Sequence, residues 1–87
     1  MSVKWRDKAF ADFCRWYETD KKTAKKIHSL VLDIQRNGVL KGTGKPEALK
    51  YEHNEYSRRI DEKNRLVYTQ DENGTLVILA CKGHYEE

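Results

Sequence analysis

Cysteine is scarce in this sequence: Cys14 and Cys81 are the only two, and their wide separation offers no disulfide framework. Buried free thiols in a reducing compartment are what such usage implies. Proline occurs once, at Pro46, in a Val39–Pro46 stretch that Gly42 and Gly44 also mark as a loop. No apolar run approaches the ~20 residues needed to cross a bilayer. The opening Met1-Ser2-Val3-Lys4-Trp5-Arg6-Asp7 holds no apolar stretch of signal-peptide length. A cytoplasmic protein without membrane contact is therefore expected. Internal repeats, low-complexity tracts and linkers are absent as well, so residues 1–87 read as a single domain.

What is there is polar. Hydrophobic residues make up 38% of the chain and charged ones 36%, so a domain of this length has a thin core. The aromatics and the periodic apolar positions still separate it from a disordered chain. Net charge is +3, an excess that permits attraction to a polyanion without demonstrating it.

Val3-Lys4-Trp5 is a short strand candidate. Phe10, Phe13, Cys14 and Tyr17 follow at helical spacing, with Thr19 or Asp20 available to cap a second helix. That helix carries Ala24, Ile27, Leu30, Val31 and Ile34 and stops at Asn37-Gly38. Four strands are expected after the loop: Ala48–Tyr51, Tyr56–Ile60, Arg65–Gln70 and Thr75–Lys82, with Asp71-Glu72-Asn73-Gly74 as a hairpin turn. Leu76-Val77-Ile78-Leu79-Ala80 is apolar on both alternating sets, which predicts the central strand. The order β-α-α-β-β-β-β gives an α+β fold: an antiparallel sheet of about five strands with a two-helix hairpin on one face.

Chemistry concentrates in the second half. Tyr56-Ser57-Arg58-Arg59-Ile60 and Arg65-Leu66-Val67-Tyr68 put arginines into strands, and a strand can show a row of guanidinium groups on its open face. Arginine holds phosphate well because its planar fork donates paired hydrogen bonds and keeps its charge. RNA cleavage by its own 2′-hydroxyl needs a base, an acid and fixed positive charge. Glu47, His84 and the pair Arg59 and Arg65 are residues of those types. The competing reading makes His84 a tail histidine and makes Arg58, Arg59 and Arg65 solvated partners of Glu52, Glu55, Asp61 and Glu62. Arg59 and Arg65 share a face only if their hairpin has an odd-residue loop or a bulge. Lys45, Lys50 and Lys63 would extend a basic patch. His28 and His53 sit on a charged helix face and in a turn. Cys81 and His84 have ligand-like spacing, but a zinc site wants about four ligands and no second pair exists, so no metal and no cofactor is expected.

Taken in order, several segments make the chain resemble the YoeB (Txe) family of bacterial toxins within the RelE-like superfamily. They are Trp5, Glu18-Thr19-Asp20-Lys21, Gly44-Lys45-Pro46-Glu47 with Leu49-Lys50, Ser57-Arg58-Arg59-Ile60, Arg65-Leu66-Val67-Tyr68, Ala80-Cys81 and His84-Tyr85. The resemblance implies a RelE-like, microbial-ribonuclease-like fold and a metal-independent endoribonuclease (an mRNA interferase) of a type II toxin–antitoxin system, cutting messenger RNA in the ribosomal A site. It implies Glu47 as general base, His84 as general acid and Arg65 as the group that stabilises the phosphorane. Lys50, Arg59 and Tyr85 would hold phosphate or complete the site. A cognate antitoxin is the implied protein partner, operator DNA is met only as the toxin–antitoxin complex, and a homodimer is left open. The chain departs from the family pattern in lacking a glycine within Glu52-His53-Asn54-Glu55 and in carrying Tyr56 where tryptophan is frequent. The alternative function, of another class, is a non-catalytic RNA- or ribosome-binding module that blocks translation by occupancy.

Overall fold

The computed structural model describes residues 1–50 and 52–83. Its elements run β1 (Val3–Trp5), α1 (Asp7–Thr19), α2 (Lys21–Asn37), β2 (Glu47–Ala48), β3 (Glu55–Arg59), β4 (Arg65–Gln70) and β5 (Leu76–Ala80). The strands form one 5-stranded sheet in the order β1-β5-β4-β3-β2, with the helical hairpin on one face. The α+β class and the element order are as the sequence predicts. The sheet, however, is mixed: β1 pairs in parallel with β5, Val3 opposite Leu76 and Trp5 opposite Ile78. Two helices intervene between β1 and the rest, a crossover long enough for parallel entry.

Asp20 ends α1 and caps α2, its carboxylate accepting from the Thr23 backbone N–H at 3.2 Å and from the Thr23 hydroxyl at 2.8 Å. These bonds hold the Asp20 carboxyl below its ordinary pKa. Along α2 the expected stripe of Ala24, Ile27, Leu30, Val31 and Ile34 is buried. Helix α1 is turned from its expected face. Ala9 is buried and Phe13 and Trp16 pack against the core, whereas Phe10 and Tyr17 are 53% and 59% exposed. Two bonds to the end of β5 set that rotation: Trp16 Nε1 donates to the Cys81 carbonyl at 3.0 Å and Cys81 Sγ to the Ala9 carbonyl at 3.4 Å.

The central strand is β4, flanked by β5 and β3, and not the more apolar β5. On β5 only Leu76 and Ile78, which join the core, are buried, while Val77 and Leu79 are half-buried on the far face. Strand β2 stops at Ala48, short of the expected Tyr51, which lies outside the described residues. The turn into β3 does without glycine because Asn54 takes φ +62, a left-handed conformation asparagine tolerates. Among the described residues no helix is long and apolar enough to cross a membrane.

Candidate active site

Register decides which side chains meet. Glu47 stands opposite Ser57, Ser57 opposite Val67, and Arg59 directly opposite Arg65. The connection Ile60–Asn64 between Arg59 and Arg65 has the odd length that a shared face requires. Side chains two apart on a strand, and those directly opposite across it, share a face. Glu47, Ser57, Arg59 and Arg65 therefore all project from the sheet face turned away from the helices. Arg65 leans back along that face, and its Nη1 donates to Ser57 Oγ at 3.2 Å. That brings a guanidinium onto the residue that Glu47 faces. Ser57 is 1% exposed and forms the floor, with Glu47 and Arg59 exposed above it.

Like charges set directly opposite each other destabilise a sheet. Arg59 against Arg65 is such a pair, and no carboxylate bridges either guanidinium among the described residues. The arrangement is suited to an anion with two or more oxygens, which accepts from both guanidinium forks.

The β3–β4 turn brings Gly83 to the same place. Asp61 Oδ1 accepts from the backbone N–H of Lys63 and of Asn64 at 2.8 and 2.7 Å, closing the turn. Asn64 Oδ1 in turn accepts from the Gly83 N–H at 2.9 Å, and Arg65 N donates to the Gly83 carbonyl at 3.0 Å. The residue before His84 is thus clamped beside Arg65. His84 and Tyr85 themselves lie outside the described residues. Lys45 and Lys50 are exposed on either side of β2, and His28 and His53 are exposed elsewhere.

Arg58 departs from the expectation of a phosphate ligand. It is out of phase with Ser57 and Arg59, points toward the helices and is fully buried. Nε donates to Tyr68 Oη at 3.0 Å, Nη1 to Asp33 Oδ2 and to the Thr43 carbonyl (2.9 Å), and Nη2 to the Gly38 and Lys41 carbonyls at 2.9 and 2.6 Å. A guanidinium has five N–H donors, and none remains for RNA. Asp33 also accepts from the Thr43 N–H at 3.0 Å, and that bond, with the Arg58 guanidinium, holds its carboxyl below the ordinary value. Ser57 is the functional candidate that sequence reasoning passed over. The available signal was its place in phase with Arg59, on a strand opposite Arg65.

Comparison with known proteins bears on the family and the fold. Residues 5–85 match the family described as the YoeB-like toxin of bacterial type II toxin–antitoxin systems. Toxin YoeB of Escherichia coli (strain K12) is 42% identical over 98% of this chain and 100% of its own length. Among solved structures, the YoeB dimer from Staphylococcus aureus superposes with a TM-score of 0.90 at 43% identity, covering 98% of both chains. A chain of the heterotetrameric YoeB–YefM toxin–antitoxin complex from the same organism superposes with a TM-score of 0.87 at 45% identity, again over 98% of both chains. With its whole fold and nearly its whole length matched, this chain belongs to the YoeB-like toxin family.

Proposed function

We propose that this chain is a ribosome-dependent endoribonuclease that cuts messenger RNA in the ribosomal A site and so halts translation. The observation that carries the reading is the convergence of Glu47, Ser57, Arg59 and Arg65 on one sheet face, with Arg59 and Arg65 directly opposed. In this reading Glu47 takes the proton from a ribose 2′-hydroxyl as its oxygen attacks the adjacent phosphorus. His84 protonates the departing 5′-oxygen, which leaves a 2′,3′-cyclic phosphate and a 5′-hydroxyl end. Arg65 and Arg59 neutralise the charge that builds on the phosphorane, while Lys45, Lys50 and Tyr85 hold the flanking backbone. No step calls for a metal. The ribosome supplies the message in an orientation for in-line attack, a contribution that alone lowers a barrier by several kcal/mol.

The YoeB–YefM complexes of the Staphylococcus aureus relative support an antitoxin partner for this chain, and its YoeB dimer supports a homodimer. Operator DNA would be met by the toxin–antitoxin complex, and the site of action would be the cytoplasm.

Primer extension on messages from translating ribosomes tests the reading. The unaltered protein should produce new 5′ ends inside open reading frames. Glu47→Gln, Arg65→Ala and His84→Ala should each lower their rate of appearance about 100-fold or more. Arrested translation with intact message would point instead to blockage by occupancy.

A further inference from the structure

We propose that Asp33, Arg58 and Tyr68 are positioning residues that act through the Gly38–Gly44 loop to aim the Glu47 carboxylate. This rests on the reading of Glu47 as the base.

The loop between α2 and β2 is fixed chiefly from outside. Its backbone carbonyls at Gly38, Lys41 and Thr43 accept from Arg58, and that of Val39 accepts from Tyr68 Oη at 2.6 Å. Asp33 completes the anchor by taking both the Thr43 N–H and the Arg58 guanidinium. The loop is moulded to this anchor. A Cβ on Gly42 would fall 1.9 Å from Asp33 Oδ2 and 3.1 Å from Arg58 Nη1, and one on Gly44 would fall 3.2 Å from Arg58 Cβ. Both glycines have positive φ, +116° and +82°.

Glu47 hangs from the end of this loop. Arg59 N donates to the Gly44 carbonyl at 2.7 Å, and next comes Lys45, which holds φ +52 immediately before Pro46. A non-glycine residue stays in that region only where its surroundings over-determine it. The rigid proline and then Glu47 follow directly, so a shift of the loop is passed to the carboxylate. Strand β3 serves both walls of the site at once. Ser57 steadies Arg65 on the open face, and Arg58 steadies the approach to Glu47 from the covered one. A buried ion pair gives little net stability compared with apolar packing of equal volume. Its distinctive yield here is direction, since a planar fork fixes three carbonyls and a carboxylate in one geometry.

A double-mutant cycle with Glu47 separates aim from mere folding. Cleavage on programmed ribosomes is measured for Tyr68→Phe, Glu47→Gln and the double variant, with the folded fraction of each checked by circular dichroism. Tyr68→Phe alone should lower kcat about 10- to 100-fold with KM unchanged within about twofold. Added to Glu47→Gln, it should lower kcat less than about twofold further, because residues that act through one another are not additive. Gly42→Ala, at an exposed loop position facing Asp33, gives a second cycle with the same expectation should Tyr68→Phe lose its fold. An equal loss on both backgrounds, or full kcat in both single variants, overturns the inference while leaving the site intact. Full activity of Glu47→Gln overturns the base assignment first and this inference with it, an outcome read from that variant alone.

Discussion

Arg58 and Arg59 are neighbours in the chain with opposite fates, one sealed in the core and the other exposed. A strand sends consecutive side chains to opposite faces, so only one of them can share a face with Arg65. Ser57, on the other side of Arg58, falls on the exposed arginine's face and bonds to Arg65 at 3.2 Å. Removing that hydroxyl should loosen Arg65 without emptying the site. Ser57→Ala is expected to lower cleavage about fivefold, the worth of one ordinary hydrogen bond of roughly 1 kcal/mol, with the melting temperature little changed. A loss as deep as that of Arg65→Ala would mean Ser57 touches the substrate itself. Cys81 sits at the quiet extreme, its thiol pushed up to about 12 by burial, which suits a packing residue and not a nucleophile.

At the scale of elements, propensity and pattern located nearly every helix and strand, and packing chose their rotation and rank. On helix α1 the pattern of Phe10, Phe13, Cys14 and Tyr17 marked one face, and the structure turns another toward the core, with Ala9 and Trp16. The bonds from Trp16 and Cys81 selected the one that leaves Phe10 and Tyr17 outside. Strand β5 carries the most apolar run, yet β4 took the centre because it pairs by hairpins on both sides. The β2–β3 turn rests on Asn54 at φ +62. Asn54→Ala should destabilise the fold by about 1 kcal/mol, since alanine pays the full left-handed penalty, and Asn54→Gly should be neutral or better. Chemical denaturation reads this as a lowered midpoint at unchanged slope. Equal midpoints for all three would show that the turn does not hold this backbone.

For the whole molecule, acid is the sensitive direction. Asp20, Asp33 and Asp71 all have lowered pKa values: Thr23 holds the first, the Thr43 N–H and Arg58 the second, the Thr75 N–H the third. A carboxyl whose folded pKa is depressed contributes stability above its unfolded value, and that contribution is lost as pH falls through the folded one. The melting temperature should therefore hold as regards these groups from pH 7 to 5 and decline below about pH 4. Asp33→Asn should flatten part of that decline. A melting temperature that rises toward pH 3 would contradict the assignment.

The sequence by itself determined the order of elements, a cap for α2 at Thr19 or Asp20, the family and the chemical types present at the site, because these follow from local spacing and from motifs in series. Tertiary structure alone decided the parallel pairing of β1, the register that sets Arg59 against Arg65, and the inward turn of Arg58. Each of these depends on which partner a strand meets across space. A register is a relation between two segments, and a burial is a relation among many, so neither can be read from one segment alone.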